Sequence, residues 1–236
     1  MSLNGFSLFS PVHLAYLMAW FALWLIVPFI GRYLSTRGRK IAANGLAWIT
    51  IVQETVDYLN RLSVRELSLA QDLPLQFCHL AQISSVILLF VKHSLLFELT
   101  YFWGLAGALQ AMLTPDIHAF DSHLSLFLFF MHHGLLILII LWLIFVTGCR
   151  CRPRAVVRVF LFTNLIMVPV GLIDWLIDAN YMYLSASPVS DSPFIAGGWP
   201  WYLIRIEGIG LLMMTFLQMP MTFARAKERQ GLAVAR

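Results

Sequence analysis

Long runs of apolar residues alternate with short polar segments along almost the whole chain. A helix needs about 20 mainly apolar residues to cross roughly 30 Å of hydrocarbon, and lipid admits only helices or closed barrels as spanning structures. Seven runs approach that length: Val12–Ile30, Ile41–Leu59, Pro74–Val91, Ser94–Leu113, Leu124–Thr147, Val156–Leu176 and Trp201–Pro220. The pattern predicts an all-α membrane helical bundle, folded as a single seven-helix transmembrane domain over residues 1–236.

The overall composition agrees with this pattern. Of the 236 residues, 60% are hydrophobic and 12% are charged. A soluble domain carries about twice that charged fraction. We therefore expect a multi-pass protein of the cell membrane (plasma or inner membrane), with no separate soluble domain.

The basic residues gather in alternate loops of the seven-helix arrangement. Thirteen of the 16 fall on one side: Arg32, Arg37, Arg39, Lys40, Lys92, Arg150, Arg152, Arg154, Arg158, Arg225, Lys227, Arg229 and Arg236. Cytoplasmic loops collect Lys and Arg, so the predicted topology has the N-terminus outside and the C-terminus in the cytoplasm. This topology explains the net charge of +4. We infer no nucleic-acid partner, and the sequence indicates no protein partner.

Polar side chains inside the apolar runs lie mostly in the halves predicted to face outward. They are Gln53, Glu54, Asp57, Gln76, Cys78, His79, Gln82, Gln110, His132, His133, Asp174, Asp178, Arg205 and Glu207. Ionisable groups in a membrane are costly and usually face the bundle interior or a water-filled cavity. We expect a polar cavity that opens toward the outer leaflet. The alternative is that these groups form structural bonds between helices.

The segment LPLQFCHLAQ places a thiol at the outer end of the third run. A cysteine thiolate is a nucleophile, and Cys78 and Gln82 stand at i and i+4, on one face of a helix. Gln82 could donate a hydrogen bond to an oxyanion. A helix start near Pro74 would put Cys78 about two turns in. The alternative is that Cys78 is an inert core residue, as buried cysteines usually are.

A nucleophilic cysteine is usually activated by a histidine that takes its proton. His79 follows Cys78 directly, but successive residues on a helix point about 100° apart. His132 or His133 on the fifth run is therefore the better candidate base.

Small residues mark the fourth run as a packing surface. Gly104, Gly107, Ala108 and Ala111 are spaced so that a neighbouring helix can approach closely. Before the fifth run, Asp121 or Ser122 is expected to cap the helix.

Five segments, in order, resemble the YwaF-like integral membrane family: LPLQFCHLAQ, YFWGLAGALQAMLTPD, MHHG, NYMYL and WPWY. That family includes the eukaryotic transmembrane acyltransferase that remodels ether phospholipids through a cysteine acyl-enzyme. The resemblance implies seven helices, a nucleophilic cysteine at Cys78 and a catalytic histidine at His133. It implies an enzyme that moves a fatty acyl chain from a membrane phospholipid, through a cysteine thioester, to a lyso-lipid or another hydroxyl acceptor. No cofactor is expected.

Several of the polar residues are candidates for substrate binding. Arg205 could hold a lipid phosphate, because guanidinium suits bidentate contacts to oxyanions; an ion pair with Asp174 or Glu54 is the alternative. Asn180 and Tyr181 are expected near the membrane interface, as anchors or as contacts to substrate. The full candidate set is Gln82, Glu54, Gln110, Asn180, Tyr181, Arg205 and Glu207.

Two other functions fit the residues. A metal-dependent lipid amidase or hydrolase would need three protein ligands and an open position, and these could come from Asp116, His118, His123 and His132. A transporter or membrane assembly protein would need no chemistry at Cys78. Acidic residues concentrated in the outer halves do not favour a through-path.

Overall fold

The computed structural model describes residues 6–116, 120, 122–187 and 197–234. Within these residues it contains α-helices and one short 3₁₀ turn, with no strand. The helices are α1 Pro11–Tyr33, α2 Thr36–Val64, α3 Leu69–Asp72, α4 Phe77–Leu88, α5 Ser94–Leu113, α6 His123–Phe145, α7 Ala155–Ile177 and α8 Trp201–Val234, and the 3₁₀ turn is Tyr181–Tyr183. The prediction of an all-α protein is confirmed.

Four helices of the described residues, α1, α6, α7 and α8, are long and apolar enough to cross a membrane. α2 and α5 have 29 and 20 residues, so they have the length, but both carry acidic and amide side chains. α4 has 12 residues and is therefore about 18 Å long at ~1.5 Å per residue. The count of seven spans stays a prediction.

Serine side chains start three of the long helices. Ser10 accepts a hydrogen bond from the backbone N–H of His13, and Ser35 does the same for Gly38. Ser122 caps α6 in a reciprocal arrangement with Ser125, which confirms one of the two predicted caps. The other, Asp121, lies outside the described residues.

α4 begins at Phe77, three residues later than the sequence predicts. The chain before it is held by long-range bonds: the N–H of Leu73 donates to the Tyr181 hydroxyl at 2.8 Å, and Gln76 Oε1 accepts from the N–H of Met182 at 3.0 Å. These bonds compete with helix formation in the segment after Asp72. Cys78 consequently lies in the first turn of α4, and the expectation that it lies about two turns in was wrong.

The helices group into two compact units, and each is described by itself; the prediction of one domain stays a prediction. The first unit comprises Met1–Glu66 and Cys78–Cys149. Its centre is α6, which packs against α1, α2 and α5.

Glycines bring the helices of the first unit close together. The Trp20 ring of α1 lies directly over Gly134 of α6, where a Cβ would have no room. A Cβ on Gly104 of α5 would meet Ile140 at 2.5 Å, so the predicted packing role of this glycine is confirmed. His13 of α1 also bonds to the carbonyl of Met112 at 2.8 Å.

The second unit comprises Leu67–Phe77 and Arg150–Arg236, with α3, α7, α8 and the 3₁₀ turn. α7 packs against α8, against α3 and against the 3₁₀ turn. Asp174, at 1% exposure, accepts from the N–H of Tyr181 at 3.0 Å, and the Tyr202 hydroxyl donates to the carbonyl of Tyr183 at 2.8 Å. These bonds fasten the turn after α7 to the helices on both sides of it.

Candidate functional site

Cys78 lies in the first turn of α4, against the backbone of α5. Its Sγ atom faces Gly107, where an added Cβ would lie 2.9 Å from the sulphur. The thiol is free and half-buried. The first turn of a helix carries N–H groups without intrahelical partners, and its dipole favours an anion. Cys78 therefore lies closer to the N-terminal N–H groups of α4 than the sequence predicts.

Gln82 lies one turn further along the same face of α4. Its side chain is 2% exposed, and neither its amide nitrogen nor its amide oxygen has a hydrogen-bond partner within the described residues. Buried polar atoms are normally paired with protein groups or ordered water. The unpaired amide of Gln82 therefore marks a place where a polar ligand or water belongs, on the face that carries Cys78.

Glu54 and His132 form a short hydrogen bond between α2 and α6. Nδ1 of His132 lies 2.5 Å from Oε1 of Glu54. A carboxylate only accepts, so we assign the proton of the neutral imidazole to Nδ1. Nε2 of His132 is buried and has no partner in the described part of the chain.

His133 is oriented by a different partner. Its Nδ1–H donates to the carbonyl of Phe129 at 2.8 Å, on the preceding turn of α6. Because a carbonyl only accepts, the neutral ring carries its proton on Nδ1 and a lone pair on Nε2. The rings of His132 and His133 are neighbours, with centroids 4.9 Å apart. The role of His133 as a base stays a prediction.

His79 turns toward α6. Its ring centroid lies 5.1 Å from that of His132, and its buried Nδ1 has no partner among the described groups. One ligand-type atom from each of Glu54, His79 and His132 lies within 4.8 Å of the other two. The grouping of His79 with Glu54 and His132 was not predicted from the sequence. The signal that could have indicated it is Glu54, an acidic residue in the outer half of the second apolar run.

Gln110, another predicted substrate contact, lies in the last turn of α5 and is exposed. Its amide nitrogen donates to the hydroxyl of Thr114 at 2.5 Å. The structure thus gives it a local partner at the helix end.

The remaining predicted substrate residues, Asn180, Tyr181, Arg205 and Glu207, belong to the second unit. Asn180 accepts from the N–H groups of Ser185 and Ala186 at 3.0 Å, which closes a turn. The Tyr181 hydroxyl donates to the carbonyl of Leu69 at 2.7 Å and is 2% exposed as a residue. Arg205 is exposed and Glu207 is half-buried on α8. Substrate binding by these residues stays a prediction.

The metal ligands suggested by the sequence do not form one group in the structure. His123 is the exposed first residue of α6, and His132 lies nine residues later, about 13 Å along the helix. Two ligands of one ion cannot be that far apart. Asp116 is exposed after α5, and His118 lies outside the described residues.

Comparison with known proteins gives one match. The model of the TMEM164 family matches residues 8–218 of the chain. Neither a curated protein nor a solved structure matches it significantly. The family match covers most of the chain and includes every described residue of the site, and it agrees with the apolar helices. The chain is therefore a membrane protein that belongs to the TMEM164 family.

Proposed function

We propose that this protein is a membrane-embedded acyltransferase that moves a fatty acyl chain from a phospholipid through a thioester on Cys78. The observation that carries the proposal is that the Cys78 thiol, in the first turn of α4, shares a helix face with the unpaired amide of Gln82. The adjacent His79 ring contacts His132. The resemblance of LPLQFCHLAQ and MHHG to a family that includes a cysteine acyltransferase supports the same chemistry.

In the acylation step, Nε2 of His133 takes the proton from the Cys78 thiol. The thiolate attacks the carbonyl carbon of a phospholipid ester and forms a C–S bond, and the negative charge moves to the carbonyl oxygen. The Gln82 amide and the first-turn N–H groups of α4 stabilise this oxyanion. Collapse breaks the C–O bond, and the alkoxide takes the proton from His133, which leaves a thioester and a lyso-lipid.

The second step regenerates the thiol. His133 takes the proton of an acceptor hydroxyl, whose oxygen attacks the thioester carbonyl. The C–S bond breaks, and the thiolate of Cys78 recovers its proton from His133. A lyso-lipid acceptor gives a remodelled phospholipid, and the reaction needs no cofactor.

We propose that the chain crosses the membrane seven times, with its N-terminus outside and its C-terminus in the cytoplasm. The four helices with spanning length and apolarity support a multi-pass arrangement. The basic residues in alternate loops support the direction of insertion.

The proposal is tested by incubating the purified protein in lipid vesicles with a phospholipid that carries a labelled acyl chain. Intact mass then shows whether the label is bound and whether hydroxylamine removes it. Cys149→Ser is the matched control for Cys78→Ser, because both residues are half-buried thiols. We expect a hydroxylamine-sensitive adduct in the parent and in Cys149→Ser. Cys78→Ser should carry no adduct of that kind.

A parent protein that takes up no label from phospholipids of several headgroups would contradict the proposal. So would a sensitive adduct that persists in Cys78→Ser. Transport of a labelled solute into proteoliposomes, unchanged in Cys78→Ala, would favour the non-enzymatic alternative.

A further inference from the structure

We propose that Glu54, His79 and His132 bind a divalent transition metal of the zinc class. The three side chains come from α2, α4 and α6, and all belong to the first compact unit. One ligand-type atom of each lies within 4.8 Å of the other two. This site is additional to acyl transfer and does not depend on the thioester chemistry of Cys78.

Two ring nitrogens in this cluster are buried without a partner among the groups that the structure describes. Nδ1 of His79 and Nε2 of His132 are both buried, and neither has a hydrogen-bond partner within the described residues. His132 as a whole is 7% exposed. A buried ring nitrogen without a partner is unfavourable, so a metal ion or ordered water is expected at each of these atoms.

The three side chains are of the types that bind zinc. Two imidazoles and one carboxylate are the three protein ligands found at catalytic zinc sites that keep a fourth position open. Imidazole suits zinc, copper, iron and nickel, whereas calcium and magnesium prefer oxygen ligands. In the structure Glu54 accepts the Nδ1–H of His132 at 2.5 Å, so its carboxylate must turn from that nitrogen toward the ion when metal binds.

The spacing is close to what a metal requires. Zinc–nitrogen bonds of about 2.0–2.1 Å put the ligand atoms of a tetrahedral site about 3.4 Å apart. The three atoms lie within 4.8 Å of each other, so their widest separation must shrink by up to about 1.4 Å when an ion binds. Glu54 and His79 are half-buried, which leaves them room to rotate.

The surrounding charges are compatible with a cation. Arg61, on α2, influences all three side chains electrostatically, and its charge is offset by the ion pair with Asp57 at 2.5 Å. Glu54 adds a negative charge directly at the cluster. His133 is engaged with Phe129 and lies outside the three-ligand set, so the doubled histidines of α6 take separate roles.

The test titrates the full chain, in lipid nanodiscs and stripped by a chelator, with Zn²⁺ alone and with Co²⁺ alone. Elemental analysis gives the stoichiometry, and the visible absorption of Co²⁺ reports its coordination. We expect about one ion per chain in the parent and at least about 100-fold weaker binding in His79→Ala. His79→Ala is the primary variant because the residue is half-buried, and Glu54→Gln keeps the shape of the side chain. His123→Ala is the matched control, since His123 is exposed at the start of α6.

A parent that binds no more metal than His79→Ala would overturn the proposal, and ordered water would then satisfy the two nitrogens. Equal loss in His123→Ala would also overturn it. Cys78→Ala should titrate like the parent, and a large loss there would make the thiol a ligand and contradict the three-residue set. Failure of thioester formation leaves this titration unaffected, so the two proposals fail separately.

Discussion

Two neighbouring histidines of α6 have different partners for the same ring nitrogen. Nδ1 of His132 faces the carboxylate of Glu54, whereas Nδ1 of His133 faces the carbonyl of Phe129. Both partners accept, so both rings present an Nε2 lone pair when neutral. The surroundings of the two lone pairs distinguish the roles that we propose. His132 lies beside His79 and is a metal ligand, whereas His133 is the base.

Replacing Gln82 by leucine separates a role in substrate binding from a role in the fold. The amide has no partner within the described residues, so its removal should leave the free energy of unfolding unchanged or slightly raised. If the amide donates to an oxyanion, thioester formation should slow by about 10²–10³-fold. Thermal unfolding and the rate of acyl labelling measure the two effects. A large loss of stability with an unchanged rate would contradict the oxyanion role.

Replacing Glu54 by alanine removes the acceptor of the His132 N–H. A buried donor left without a partner costs about 1–3 kcal/mol, so we expect a loss of stability in that range. Chemical denaturation in mild detergent measures it. Glu66→Ala is the control because Glu66 is exposed after α2, and it should change stability by less than about 0.5 kcal/mol. Equal effects in the two variants would show that the contact is not stabilising.

For single residues, contacts within one helix could be predicted from the sequence, but contacts between helices could not. The i, i+4 spacing placed Cys78 and Gln82 on one helix face, and both lie in α4. The grouping of Glu54, His79 and His132 depends on the relative registers of three helices. Those registers follow from packing between the helices, which local sequence patterns do not reveal.

Helix α1 is fitted to α6 by a glycine. The ring of Trp20, at 6% exposure, fills the space above Gly134, and Trp24 donates to the Gly134 carbonyl at 3.0 Å. A side chain added at Gly134 would therefore clash with the Trp20 ring, and that ring is buried and cannot move aside into solvent.

Gly134→Ala should lower the free energy of unfolding by about 1–3 kcal/mol through overpacking. Gly45→Ala is the matched control, since nothing lies within 4 Å of a Cβ at Gly45 in α2. That variant should be stabilised by about 0.5–1 kcal/mol because alanine is the better helix former. Thermal unfolding of both, side by side, checks the sign. A stable Gly134→Ala would mean that α1 moves freely on α6.

Gly107→Ala should act on Cys78 more than on the fold. The new methyl would lie 2.9 Å from the sulphur, closer than ordinary contact, so the thiol must shift. A displacement of about 1 Å at a reacting atom can cost about 10²-fold in rate. We expect acyl labelling to slow by that order while the unfolding temperature changes little. Labelling at the parental rate would contradict the placement of the nucleophile against α5.

It was easier to predict from the sequence which segments are helical than where each helix begins. The start of α6 was predicted because Ser122 can cap a helix from its own side chain. The start of α4 was not, because the backbone N–H of Met182, more than a hundred residues away, bonds to Gln76. Local rules of capping are readable from sequence, whereas long-range bonds override them without a local signal.

For the whole molecule, the uneven distribution of basic residues is the strongest guide to orientation. A membrane-impermeant maleimide can test the predicted direction in a background where Cys78, Cys149 and Cys151 are replaced by serine. Arg37→Cys and Ser185→Cys are suitable reporters because both positions are exposed. Intact cells should label Ser185→Cys at once, and Arg37→Cys only after permeabilisation. The reverse order would invert the predicted topology.

The class of the molecule followed from composition, because 60% hydrophobic and 12% charged residues leave few alternatives to a membrane bundle. The number of spans did not follow so directly. The polar residues that make α2 a candidate for chemistry also make it a poor spanning helix by composition, whereas α4 is apolar but short. A functional site inside a membrane protein weakens the same hydropathy signal that would locate it.

The shortness of α4 has a consequence for the bilayer itself. A helix of 12 residues covers little more than half of a hydrocarbon layer about 30 Å thick. In the seven-span arrangement that we propose, lipid beside such a segment would thin to match it, at a cost that grows with the mismatch. The polar headgroup boundary would then lie closer to the end of the helix that carries Cys78. The length of the lipid chains should consequently affect how often an ester bond reaches the Cys78 thiol. The rate of acyl transfer should then depend on membrane thickness.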